Sequence, residues 1–174
     1  RIREGNDPIR IGIGVNTGMM MLGTLGESDR MEGSVISDAV NIAARLEGLT
    51  KLYKTPLLIS GETLLKIDDS IFETRLIDKV AVKGKVKPIM VHEVLNGETP
   101  DLREIKISML PNFKKCFELY QNQKFENALE LFRKYLKKVP EDHVGQLYVD
   151  RCQKILSSGW DSENWEGINY MDNK

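Results

Sequence analysis

The stretch that decides the architecture is Gly33-Ser34-Val35-Ile36-Ser37-Asp38-Ala39-Val40-Asn41-Ile42-Ala43-Ala44-Arg45-Leu46-Glu47. From Asp38 to about Leu49 its apolar residues, Val40, Ala43/Ala44 and Leu46, recur at spacings of three and four, the period of an amphipathic helix, and Gly48 stands near the end. Upstream the period is two. Ile9, Ile11, Ile13 and Val15 alternate with Arg10, Gly12, Gly14 and Asn16, which predicts a half-buried strand with its branched side chains inward. Asn16-Thr17-Gly18 has turn chemistry and Met19-Met20-Met21-Leu22 reads as a return strand, so the sequence predicts a hairpin here, followed by a polar loop from Gly26 to Asp29.

Downstream, Thr55-Pro56 interrupts the helix, Leu57-Leu58-Ile59 reads as a short buried strand, and Ser60 can cap a brief helix running to Lys66. Phe72 to Val94 reads as two antiparallel strands. Leu76, Val80 and Val82 line one side and Ile89, Val91 and Val94 the other, with Gly84 in the basic turn Lys83-Gly84-Lys85-Val86-Lys87-Pro88. Strands mixed with helices, without strict alternation, predict an α+β fold. After the linker Asn96-Gly97-Glu98-Thr99-Pro100 the chain becomes helical. Pro111 can open a helix carrying Phe113, Cys116, Phe117 and Tyr120, and Asn122-Gln123-Lys124 turns the chain. Phe125, Ala128, Leu131/Phe132, Tyr135 and Leu136 line a second helix stopped by Pro140, and Val144, Leu147/Tyr148, Arg151/Cys152 and Ile155 mark a third. The tail, with Trp160 and Trp165 among Gly, Asp, Ser and Asn, has no period.

Composition narrows the function. The 174 residues are 41% apolar and 29% charged, a globular composition with room for one good-sized domain or two small ones. Lys and Arg number 25 against 26 Asp and Glu, and this balance excludes the basic excess of a general nucleic-acid or membrane-surface binder. Cys116 and Cys152 lie far apart in helical segments and read as buried thiols in a reduced compartment. No apolar run reaches the ~18 residues of a membrane span. The opening Arg1-Ile2-Arg3 reads as a piece of a longer protein.

Asn41 and Arg45 stand four apart on the predicted helix, so both project from one face near its N-terminal half. An amide beside a guanidinium suits a polar anion with neighbouring hydroxyls, such as a ribose phosphate, because the planar fork of Arg matches phosphate oxygens. Lys83, at the end of a strand, can add a second positive charge. Taken alone, such a pair is better explained by a solvated helix face. A dinucleotide-loop reading of Gly12 to Gly18 fails, since the third glycine is misplaced and no helix follows. His92 and His143 have no Ser or Cys partner at recognisable spacing and read as structural, and the methionines at 19–21 as core.

Three blocks in order, Arg10-Ile11-Gly12-Ile13-Gly14 with Thr17-Gly18, then Val35 through Glu47, then Val82-Lys83-Gly84-Lys85, closely resemble class III adenylate/guanylate cyclase catalytic domains over about residues 8–95. The resemblance implies the C-terminal half of a ferredoxin-like cyclase domain (residues 1–100). It also implies conversion of ATP to 3′,5′-cyclic AMP and pyrophosphate at the interface of a head-to-tail homodimer. By position, Asn41 is expected to orient the ribose and Arg45 to stabilise charge at the α-phosphate. Lys83 is expected to bind the terminal phosphates. Ser34 falls where the family selects the base and favours adenine, with Val35 adding backbone contacts.

The family's two Mg or Mn ions are expected to be held by aspartates of the preceding half, which this chain lacks, so the chain alone is expected to be inactive. Asp38, Asp68-Asp69 and Asp78 do not match those metal positions and read as caps and solvated loop charges. Ser37 replaces the family's usual Gly. Residues 101–174 are expected to form an all-α extension. Ala128, Phe132, Tyr135 and Pro140 fall where a tetratricopeptide repeat places its second-helix small residue, aromatics and proline. One repeat does not bury its own face, so this hairpin must lean on the third helix, the cyclase part or a partner. Similar tails follow the cyclase domain in some bacterial members, and packing with dimer support is the expected role, with peptide binding the other. A different reading of the whole stays open: a non-catalytic module that binds a nucleotide or a protein. No nucleic-acid partner is expected. The location is expected to be the cytoplasm, either free or as the cytoplasmic part of a membrane-anchored protein.

Overall fold

Strand β1 (Ile13–Val15), a β-hairpin of β2 (Met21–Leu25) and β3 (Glu32–Ile36), and helix α1 (Asp38–Tyr53) come first in the computed structural model, which describes residues 11–25, 32–68, 70–81, 87–158, 165 and 167–170. Strand β4 (Leu57–Ser60), the short helix α2 (Gly61–Leu64) and the long strands β5 (Thr74–Ala81) and β6 (Ile89–Val94) follow, and a 3₁₀ turn (Leu95–Gly97) ends this part. Helices α3 (Pro100–Ser108), α4 (Leu110–Gln121), α5 (Phe125–Leu136) and α6 (His143–Ser158) then run to a two-residue strand β7 (Asn169–Tyr170). The main sheet has five strands in the order β1-β4-β6-β5-β7. Its β1/β4 and β5/β7 pairs are parallel and the two central pairs antiparallel, so the fold is α+β with a mixed sheet, followed by helices.

The predicted hairpin of β1 with the methionine run does not form. β1 pairs with β4, Ile13 opposite Leu57, across a crossover that contains α1, while Met21 belongs to β2 and pairs with Ile36. Asn16 is a strut rather than a hairpin turn. Its Nδ2 donates to the Ala39 carbonyl at 3.0 Å and its Oδ1 accepts from Ser60 Oγ at 2.6 Å, which ties the end of β1 to α1 and β4. The burial of β1 is also the reverse of the sequence reading. Ile11, Ile13 and Val15 are exposed, as are Met19, Met20 and Met21, and the glycine face is the packed one. A Cβ on Gly14 would stand 2.2 Å from the Glu47 nitrogen and 2.4 Å from the Ala43 carbonyl, so only glycine lets α1 lie this close to the strand.

Helix α1 runs one turn beyond its predicted end. Ser37 caps its N-terminus, accepting from the Val40 N–H at 3.3 Å, and Lys54 closes it in the left-handed region at φ 50°. The capping hydroxyl gives Ser37 a structural use of its own at the position where the resemblance led one to expect Gly. Ser60 caps α2 as predicted. In β5 the register slips between Leu76 and Asp78, a bulge that brings Ile77 and Asp78 both to the buried side and leaves Leu76 only half-buried. Asp78 is therefore no solvated loop charge: it is fully buried. Asp38 lies in the first turn of α1, and Asp68 accepts from Ser70 N–H and Oγ in a surface turn, as expected of them.

One apolar cluster runs through the sheet and the helices. Ile42, Leu46, Leu49 and Tyr53 of α1 and Ile77, Val80 and Val91 of the strands join Phe113, Phe117, Tyr120, Phe132, Tyr135 and Tyr148. The helical hairpin α4–α5 thus covers its apolar face with α6 and the sheet. Cys116 and Cys152 are buried free thiols, as expected. Helix α3 fills the stretch between the predicted linker and Pro111. The aperiodic tail folds back: Trp165 packs edge-on against Tyr120 and Phe125, and β7 adds to β5. No helix among the described residues is long and apolar enough to cross a membrane. Ile9, Arg10, the Gly26–Asp29 loop, Asp69, the Val82–Val86 turn and Trp160 lie outside the described residues.

Candidate nucleotide site

Helix α1 presents the site because its other face is committed. Ala39, Ile42, Leu46, Leu49 and Tyr53 are buried against the sheet and α6. Asn41, four residues before Arg45, is exposed, and Arg45 is half-buried. Among the described residues neither side chain has a hydrogen bond or ion pair. Arg45 also borders a small hollow of about 10 Å³ between α1 and the β5–β6 pair, at the edge of the core formed by Ile42, Leu46, Leu49, Val80, Ile89 and Val91. A guanidinium with no partner among the described residues can offer its planar fork to an anion.

Ser34 and Val35 sit on β3, opposite Gly23 and Leu22, in the strand that leads through Ser37 into α1. The structure therefore joins four of the five sequence candidates on one continuous β3–α1 unit. Lys83, the fifth, lies outside the described residues. The divalent ions implied by the resemblance do not fit the residues described: no group of three or more His, Cys, Asp or Glu among them is arranged to hold a metal.

Sequence reasoning missed two buried polar clusters next to this unit. In the first, Arg75 of β5 donates from Nε to Glu93 Oε2 of β6 at 2.5 Å, and from Nη1 and Nη2 to Asp142 at 2.6 and 2.8 Å. Tyr135 Oη donates to Asp142 at 2.6 Å, and Lys106 Nζ bonds Glu93 at 2.7 Å and also Glu98. The Arg75 guanidinium lies 4.1 Å over the Phe113 ring. Burial works against charge on Asp142, yet the Arg75 guanidinium outweighs it and holds the carboxyl down to about 2. In the second cluster Asp78 accepts from Tyr53, Arg151, Asn169 and the Lys79 N–H. Burial, reinforced by the Asp78 carboxylate, raises the Tyr53 phenol well above its ordinary value, so it is a fixed donor. The opposite charges of Arg75 and Glu93 face each other across β5 and β6, a signal that becomes readable once register is known.

Residues 1–96 match the family described as the Adenylate and Guanylate cyclase catalytic domain. The chain is 38% identical over 146 residues to the terminal-differentiation-specific adenylate cyclase of Dictyostelium discoideum, which covers 83% of this chain and 7% of that protein. It is 43% identical over 94 residues to an adenylate cyclase of Anabaena cylindrica, covering 53% of this chain and 19% of the relative. Among solved structures, the adenylyl cyclase CyaB from P. aeruginosa matches at a TM-score of 0.45 and 32% identity, over 53% of this chain and 47% of that one. The chain thus spans less than a fifth of the length of the two curated relatives, and the first similarity is too long to end where the family match ends.

Proposed function

Because the chain belongs to the adenylate and guanylate cyclase catalytic domain family, we propose that it is the substrate-side half of an adenylate cyclase site that converts ATP to 3′,5′-cyclic AMP and pyrophosphate. The observation that carries this reading is the pair Asn41 and Arg45, one turn apart on α1, whose side chains have no partner among the described residues. A polar pair without a partner among the described residues, on an otherwise committed helix, is available to a ligand.

The reaction is an in-line attack of the ribose 3′-oxygen on the α-phosphorus with departure of pyrophosphate. Negative charge grows on the non-bridging and leaving oxygens, and a preorganised cation aimed at them lowers the barrier. Asn41 orients the ribose by hydrogen bonding its hydroxyls. Arg45 stabilises the α-phosphate charge, and Lys83 holds the terminal phosphates. Ser34, with the Val35 backbone, reads adenine. The metal ions are assigned to residues other than those described here. Residues 1–100 then form the catalytic part and 101–174 a helical extension with tetratricopeptide-like spacing, supported by the packing of α4 on α5 and α5 on α6.

The test is cyclic-nucleotide production from Mn²⁺-ATP and Mn²⁺-GTP by the chain extended upstream to a complete domain. Cyclic AMP is the expected product, and Arg45→Ala is expected to lower turnover about 10²–10³-fold, equivalent to ~3–4 kcal/mol. Turnover within threefold of wild type would remove Arg45 from the mechanism. No product from a folded, dimeric extended chain would assign the chain to nucleotide or protein binding without catalysis.

A further inference from the structure

We propose that the C-terminal segment is part of the reacting half: Asp78 is a positioning residue that joins α1, β5, α6 and the returning tail at one point and so sets where Asn41 and Arg45 stand. The inference rests on the functional reading above. Asp78 is fully buried, and its two oxygens are filled by four donors. Tyr53 Oη and Arg151 Nη1 donate to Oδ2 at 2.5 and 2.8 Å, and Asn169 Nδ2 and the Lys79 N–H donate to Oδ1 at 2.6 and 2.7 Å. A carboxylate has about four acceptor sites, so this one is saturated, with each donor in a fixed direction.

The donors come from different elements. Tyr53 is the last residue of α1, Arg151 belongs to α6 and Asn169 to β7. The bulge at Ile77 turns the carboxylate inward to meet them. Helix α1 is a rod of 1.5 Å rise per residue. Its N-terminal end is held by the Ser37 cap and the Asn16 strut and its far end by Tyr53, so releasing Tyr53 lets the rod pivot on Gly14 of β1. Misplacement of a charge-stabilising group by about 1 Å is enough to cost up to ~10²-fold in rate. The tail is itself anchored so that Asn169 can reach: Trp165 Nε1 donates to the Gln121 carbonyl at 3.3 Å, and Gln121 Nε2 donates to the Gly167 carbonyl at 3.0 Å. Arg151 lies 4.9 Å over the Tyr148 ring, and Tyr148 Oη holds the carbonyl of the bulge residue Ile77 at 2.7 Å. An extension that merely rode on the domain would need none of these contacts at the end of the catalytic helix.

The experiment uses the extended, complete domain with Tyr53→Phe, which keeps the ring and deletes the donor, and Asn169→Ala. The exposed Lys51→Ala on the same helix is the control. Steady-state kcat and KM for ATP are measured beside thermal unfolding and amide hydrogen exchange of residues 46–53. The expected result is a kcat about tenfold lower with KM within about twofold, at a temperature where each variant is fully folded, and faster exchange at the end of α1. Lys51→Ala should change neither. A kcat within twofold of wild type in both variants, while Arg45→Ala keeps its large loss, overturns this inference alone. Arg45→Ala without effect overturns the functional reading and the positioning role with it. Unchanged exchange at residues 46–53 overturns the clamp itself.

Discussion

Arg45 and Arg75 carry the same guanidinium into opposite surroundings, and the contrast separates the part of the molecule that holds itself together from the part free to hold something else. Arg75 is 5% exposed, and its donors are taken up by Glu93, Asp142 and Tyr135. Burial works against its charge, and the two carboxylates outweigh that cost and fix it protonated. Arg45 is half-buried with no partner among the described residues. A saturated buried cation has no donor left for a ligand, whereas one with no partner among the described residues does. The difference lies in partners, since residue type is the same.

The sharpest way to break the contrast is Arg75→Met. It leaves Glu93 to Lys106 but strips Asp142 of its guanidinium partner in the interior, and urea unfolding should show a loss of about 3–5 kcal/mol, the cost of an unpaired buried charge. Arg45→Ala should lose turnover instead and leave stability within about 0.5 kcal/mol, as surface substitutions do. A stable Arg75→Met protein would refute the structural role of its cluster.

Gly14→Ala moves the free arginine without touching it. The new methyl meets the backbone at Ala43 and Glu47, on either side of Arg45, so α1 must lift. Overpacking of this kind costs about 1–3 kcal/mol, read by thermal unfolding, and the complete domain should also lose turnover at temperatures where it is folded. Unchanged stability would mean that α1 does not bear on the glycine face.

The smallest effect sharpens the comparison through pH. Burial holds the His92 imidazole down to about 4 from its ordinary 6.5. Its folded value is depressed, so its contribution is present above pH 6.5 and lost as pH falls toward 4. Asp142, held down to about 2, keeps its charge through that window. Glu98, raised by burial foremost, contributes with the opposite sign. His92→Gln should flatten the fall in stability between pH 6.5 and 4 in urea titrations. An unaltered slope would remove His92 as its source.

Local pattern made most elements legible. The three-and-four spacing of Val40, Ala43 and Leu46 announced α1, Ser60 announced α2, and the aromatic spacing from Phe113 to Tyr148 announced three of the last four helices. Pairing was less legible. Asn16-Thr17-Gly18 has hairpin chemistry, but Asn16 spends its side chain on Ala39 and Ser60, and β1 finds β4 instead. The period-2 pattern located the strand yet chose the wrong face, because a helix approaching within backbone contact buries glycine rather than isoleucine. Asp142 was within reach as a helix-start residue, since it accepts from the Val144 N–H at 3.1 Å just ahead of α6. Asp78 was not, because one inserted residue at the bulge reverses inward and outward for the rest of the strand.

The sequence by itself determined the family and placed Asn41 and Arg45 on one face of α1, through the helical repeat alone. Only the tertiary structure decided which charged residues are free and which are spent, because Arg75, Asp78, Glu93 and Asp142 acquire their partners from strands and helices far along the chain. Helical geometry is local and written in spacing, whereas the pairing of a buried charge depends on register and on which segments fold back against it.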